Sequence, residues 1–251
     1  MIRCVVSSMN YNDDLRIFRG GDFIVNDHIK IHQPTLGEIC DFGERKYFSL
    51  VHNITATPTD CKYQLSQSGL DWNVVDDFEL FIMIYRSPDF EDTRILFGDL
   101  NFQDYVLAKN SQNEEICLLN ENTGSIIDKS IYEIIADYIR RAHYISKNVE
   151  RAMTETTKEV LLEEAKEIFE MTQDKKYKSY LVPLISTLLN MPGFNYNHSS
   201  VWDVKINAFM DSVGRMQKIK NVDLLLQGGY SGGIDLKKVN KKELNYFSEL
   251  V

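Results

Sequence analysis

The sequence predicts an α+β fold, predominantly α-helical, with an N-terminal β-hairpin, a small central β-meander and a C-terminal helical bundle. Three observations predict it. Apolar runs on either side of Asn26-Asp27 read as paired strands and lead into the capping box Thr35-Leu36-Gly37-Glu38. Three short β-rich runs lie between residues 105 and 127, and apolar residues at helical spacing dominate from residue 128 onward. With 251 residues, 43% of them hydrophobic, the chain can bury a substantial core.

Residues 1–14 mix apolar and polar types and read as an N-terminal arm. Residues 15–18, 22–25 and 28–32 are β-branched or aromatic runs and are expected to be extended. The last two should be joined by a tight turn in which Asn26 and Asp27 take left-handed geometry. At Thr35 the hydroxyl can accept from the Glu38 amide while the Glu38 carboxylate returns to the Thr35 amide, so a helix starts here. Ile39, Phe42, Phe48 and Val51 give it a buried stripe, which Gly43 weakens. Thr57-Pro58-Thr59-Asp60 and Asp76-Asp77-Phe78-Glu79 open further short helices, the first stopped by Gly69. Residues 94–97, ending at Gly98, read as a brief strand or turn.

Residues 105–108 and 116–119 read as strands joined by a polar loop, and Asn122-Thr123-Gly124 turns the chain toward Ile126 and Ile127. Asp128 or Ser130 caps a helix whose stripe is Ile131, Ile134, Ile135, Tyr138 and Ile139. The polar stretch 146–158 divides an α+β region, residues 15–145, from a helical region, residues 146–226. Residues 157–172 have a strong helical composition, and in the apolar stretch 178–190 Pro183 means that the regular helix either begins near it or is kinked there. From Ser200, the residues Trp202, Ile206, Phe209, Val213 and Met216 follow steps of four and three. That stripe is either core or a partner-binding face. Residues 227–251 are expected to form a flexible tail hinged on the glycines of Gln227-Gly228-Gly229-Tyr230-Ser231-Gly232-Gly233. Its Lys237, Lys238, Lys241 and Lys242 are candidate partner-binding residues, with Phe247 and Leu250 as an apolar anchor.

A net charge of -9 argues against nucleic acid or an anionic membrane as the main partner. Cys4, Cys40, Cys61 and Cys117 are scattered and expected to be free thiols, as in a reducing cytoplasm. No signal peptide or membrane span is expected. The glycine run lacks the strand, lysine and helix of a phosphate loop, and His28, His32 and Cys40 lack zinc-ligand spacing. The five histidines read as surface or satisfied, partly buried side chains, and Glu38 and Glu79 as caps. No nucleophile, dinucleotide or metalloprotease motif is present, so no catalytic residue, metal or cofactor is expected.

Residues 19–51, 70–85 and 94–102, with residues 202–244 around WDVKINAFMDSVGRMQKIKNVDLLLQGGYSGG, together resemble tail assembly chaperones encoded by phages and prophages of low-GC bacteria. The resemblance implies a non-catalytic, mainly helical protein of the host cytoplasm. Its partners would be the tape-measure protein, kept soluble, and the tail-tube protein that polymerises around it. A structural tail or baseplate component and an enzyme without a recognisable motif are the competing classes.

Overall fold

A computed structural model describes residues 13–110, 114–173 and 175–250. The fold is α+β and mostly helical, with ten α-helices and two small antiparallel sheets among the described residues. Residues 1–12 of the expected arm, and residues 111–113 of the polar loop, lie outside the described residues.

The run at 15–18, expected to be extended, is instead helical: α1 is Asp13–Arg19. Arg16 and Arg19 stand in its last turn, at the negative end of the helix dipole. Ile17 faces the core, and its carbonyl accepts from Gln33 Nε2 at 2.9 Å. The hairpin forms where expected but is short, pairing β1, Phe23–Ile24, with β2, Lys30–Ile31. Its turn differs from the expected one, because neither Asn26 nor Asp27 has a positive φ. The Asn26 carbonyl oxygen accepts from the His28 and Ile29 amides, both at 2.9 Å, so a side chain supplies what left-handed backbone would have supplied.

Both bonds of the Thr35 capping box are present, at 3.1 Å into Thr35 Oγ1 and 2.6 Å into Glu38 Oε2. They start α2, Leu36–Phe42, and Gly43 at φ 100° separates it from α3, Glu44–Thr55. An antiparallel bridge between Thr35 and Lys205 ties this start to a distant one. The Leu36 amide donates to Val204 O and the Ile206 amide to Pro34 O, both at 2.9 Å, so two helix starts satisfy each other's free donors. Removing the hydroxyl with Thr35→Ala is expected to cost about 1 kcal/mol, measurable by urea denaturation.

Beyond the 3-10 turn Pro58–Cys61 come α4, Lys62–Gln67, and α5, Asp77–Ile84. Asp76 caps α5 by accepting from the Phe78 and Glu79 amides. The brief element at 94–97 is α6, Arg94–Phe97, a single helical turn that Gly98 ends. The meander β3, Val106–Lys109, β4, Ile116–Leu119, and β5, Ile126–Ile127, then leads into α7, Lys129–His143, capped by Asp128. The main core joins the hairpin, α2, α3, α5, α7 and the first part of α10, with aromatic rings dominant around Phe81.

The polar stretch after α7 is bonded to the α4 region: Thr59 donates to Glu150 O, Lys62 pairs with Glu150 at 2.6 Å, and Asn73 and Ala152 exchange two bonds. It leads into α8, Glu155–Gln173, which packs on α4 over a satellite core of Ala56, Leu65, Trp72, Val75 and Leu80. A connector, residues 175–180, reaches α9, Leu181–Leu189, in whose first turn Pro183 sits. The last helix, α10, is Ile206–Tyr230.

The hinge expected at Gly228-Gly229 is therefore inside a helix, and the chain beyond it folds back along α10. A Cβ on Gly228 would stand 2.6 Å from Ile234, and one on Gly229 would overlap Leu236. The glycines give space rather than freedom. Asp235, Asn240 and Asn245 each open a β-turn, their side chains accepting from the Lys237, Lys242 and Phe247 amides at 3.1, 3.0 and 3.0 Å. Backbone bonds from Lys238, Glu243 and Ser248 close the same three turns. The resulting strap runs antiparallel to α10 until Leu250 meets Gly214, over roughly 22 Å of helix. Arg215 holds it by donating to Tyr246 O and Ser248 O, and the Tyr246 hydroxyl donates to Asp223. Gly229→Ala should displace the first turn, at an overpacking cost of about 1–3 kcal/mol. Amide exchange at Lys237 and Lys238 is then expected to rise about tenfold or more, with the α7 amides unchanged.

Candidate functional site

The chain leaves α7 through Tyr144, a left-handed C-cap at φ 55° whose amide bonds to Arg140 O and Arg141 O. This sharp exit separates two clefts that share Ile145 as a wall.

The first cleft, about 560 Å³, lies between α1, α7, α10 and the end of the strap. Leu15 and Phe18 form its apolar side, 76% and 54% exposed. Its polar side is largely committed to the fold. Arg140 donates to Thr55 O at 2.7 Å and pairs with Asp77 at 3.6 Å, Tyr144 donates to Asp211 at 2.8 Å, and Arg215 is held by the strap.

The second cleft, about 450 Å³, is a more apolar groove. Phe48, Val51 and His52 of α3 form one wall, Tyr177 and Tyr180 of the connector another, and Met210 of α10 closes it. Glu44 builds this arrangement from across the chain: its Oε1 accepts from the Tyr180 and Leu181 amides, both at 2.7 Å, and so caps α9 from the first turn of α3. Phe48 then meets Tyr180 edge-on at 5.4 Å, and the Arg45 guanidinium lies over the Tyr177 ring at 5.9 Å. Burial, and then the Glu44 carboxylate, raise the Tyr177 hydroxyl above its ordinary pKa.

His143 lies against this groove and is fully buried rather than partly so. Its Nδ1 donates to Ile139 O at 2.7 Å, which leaves Nε2 to accept from the Tyr47 hydroxyl. Burial lowers the His143 pKa from 6.5 to about 4 and raises that of Tyr47 well above 10. The pair is neutral, and both ring nitrogens are engaged.

The stripe expected as core or interface divides. Ile206 and Phe209 are fully buried in this chain's own core, whereas Trp202 and Val213 are half-buried against it. Trp202 neighbours His198, at 6.4 Å between rings, and its backbone passes close to Gly37. None of the four lines the groove. Lys237, Lys238, Lys241 and Lys242 are exposed on the strap and have no ion pair among the described residues. The other histidines are dispersed: His32 bonds to Asp22 at 2.7 Å, His52 is exposed beside the groove, and His28 and His198 are exposed. Cys40, Cys61 and Cys117 are free, and burial raises the Cys61 thiol to about 11. No group of metal-ligating side chains converges among the described residues, and no helix among them is long and apolar enough to cross a membrane.

The groove residues were missed because they come from three distant segments. One signal was legible: Tyr177 and Tyr180, three apart, set among Lys175, Lys176 and Lys178.

Residues 173–250 match the family model described as YomV second domain, a phage- or prophage-type family. The match takes in the connector, α9, α10 and the strap. No curated protein and no solved structure matches the chain. The part of the chain that builds the strap and one wall of the groove is thus similar to a phage- or prophage-type domain.

Proposed function

We propose that the chain is a non-catalytic tail assembly chaperone that holds apolar helices of the tape-measure protein while tail-tube subunits polymerise around them. The groove between α3, the connector and α10 carries this reading. It offers aromatic and aliphatic walls with partly exposed rings, Tyr177 at 47% and Tyr180 at 51%, the kind of surface that takes one face of an amphipathic helix. The phage-type match over residues 173–250 supports the setting. Catalysis through His143 is disfavoured by its geometry, because acting as a base would require Nε2 to give up the Tyr47 hydroxyl.

Co-expression with the tape-measure protein is expected to yield a soluble complex that Tyr180→Ala weakens. Absence of a complex and of any gain in solubility overturns the proposal. Abundant recovery of this chain in purified virions would make it a tail component instead.

A further inference from the structure

The edge of the groove at Tyr177 is basic although the chain as a whole is acidic. The chain carries a net charge of -9, yet Lys175, Lys176 and Lys178 flank Tyr177 on the connector, and Arg45 lies over its ring. All four are exposed, and none has an ion pair among the described residues. Two acids also lie nearby, each hydrogen-bonded to neutral donors: Glu44 caps α9, and Asp60 accepts from Asn148 at 2.9 Å and from the Thr57 amide and hydroxyl. Asp174, which precedes the lysines, lies outside the described residues.

We infer that the groove takes an acidic amphipathic helix, its apolar face against Phe48, Tyr180 and Met210 and its carboxylates toward Lys175, Lys176, Lys178 and Arg45. The inference rests on the groove being the partner site. An apolar groove alone accepts any amphipathic helix, whereas four cations without ion pairs beside Tyr177, on one edge of it, favour a negative one and speed its encounter. The strap carries a second set of exposed, unpaired lysines, Lys237, Lys238, Lys241 and Lys242, but none of them lines this groove, so cations and apolar groove coincide beside Tyr177.

The test uses the full chain and two labelled synthetic helical peptides with the same Leu and Phe face, one with Glu and one with Lys on the polar face. Fluorescence anisotropy is expected to show the Glu peptide binding at least about tenfold more tightly, with the preference fading between about 50 and about 500 mM salt. The combined variant Lys175→Glu, Lys176→Glu, Lys178→Glu should abolish the preference without changing the circular dichroism spectrum or the Tm. Tyr180→Ala should weaken both peptides. Equal binding of the two, or a preference for the Lys peptide, overturns the charge inference and leaves the groove as a binding site. Binding of neither overturns the groove reading itself.

Discussion

Phe81→Ala is expected to destabilise the fold by about 4 kcal/mol. Phe81 is 2% exposed on the inner face of α5, stacked on Tyr132 of α7 at 4.7 Å and meeting Phe90 and Phe102 edge-on, both at 5.7 Å. Truncation leaves a cavity among rings that come from four separate segments, so no single neighbour can move in to fill it. Aromatic pair energies of about 0.5–1.5 kcal/mol are lost along with the buried area. In a chain of this size the Tm should fall by about 10 °C. Met83, on the same helix but 50% exposed, provides the control, and Met83→Ala is expected to change stability by less than about 0.5 kcal/mol. A comparable loss in both variants would show that the helix, rather than the ring cluster, is the sensitive feature.

Acidification is expected to destabilise the protein through His143 before the carboxylates matter. The folded-state pKa is about 4 against an ordinary 6.5, so between these values the unfolded chain binds a proton that the folded chain does not. Stability is therefore complete above pH 6.5, falls as pH drops toward 4, and takes no further loss from this group below that. The difference corresponds to about 3 kcal/mol. Paired carboxylates such as Asp92, held well below the usual range by the hydrogen bond from Arg94, act lower in pH. Guanidinium denaturation at pH 7 and at pH 4.5 measures the loss. His143→Leu should flatten that interval, at the cost of leaving the buried Tyr47 hydroxyl without its acceptor. An unchanged pH dependence in that variant would assign the acid sensitivity elsewhere.

The tail shows how a correct observation can support the wrong structure. Gly228 and Gly229 cost roughly 1 kcal/mol each relative to alanine inside a helix, which favours reading them as a hinge. In α10 they are bare backbone against which Ile234 and Leu236 pack. A countersignal was present in the five-residue spacing of Ile234-Asp235, Val239-Asn240 and Leu244-Asn245, since Asp and Asn open turns through their own side chains. Residues 15–18 failed for a related reason. Four residues are too few for a period to show, and Ile17, facing inward, is compatible with either helix or strand. The groove was legible only as the two tyrosines among lysines, because its opposite wall lies on α3.

What the sequence by itself determined is local. The caps at Thr35, Asp76 and Asp128, the stop at Gly98, the meander and the stripe of α7 all have donor and acceptor, or successive apolar positions, within about four residues of each other, whereas Gly43, expected only to weaken one helix, divides it in two. Only the tertiary structure decided that Glu44 would cap α9, that Pro34 and Val204 would satisfy the starts of α10 and α2, that His143 would be buried against Tyr47, and that the strap would close on α10. Each of those bonds joins groups far apart in the chain or depends on a helix being bare where another segment arrives. Such partners are selected by packing geometry, which no short stretch of sequence specifies.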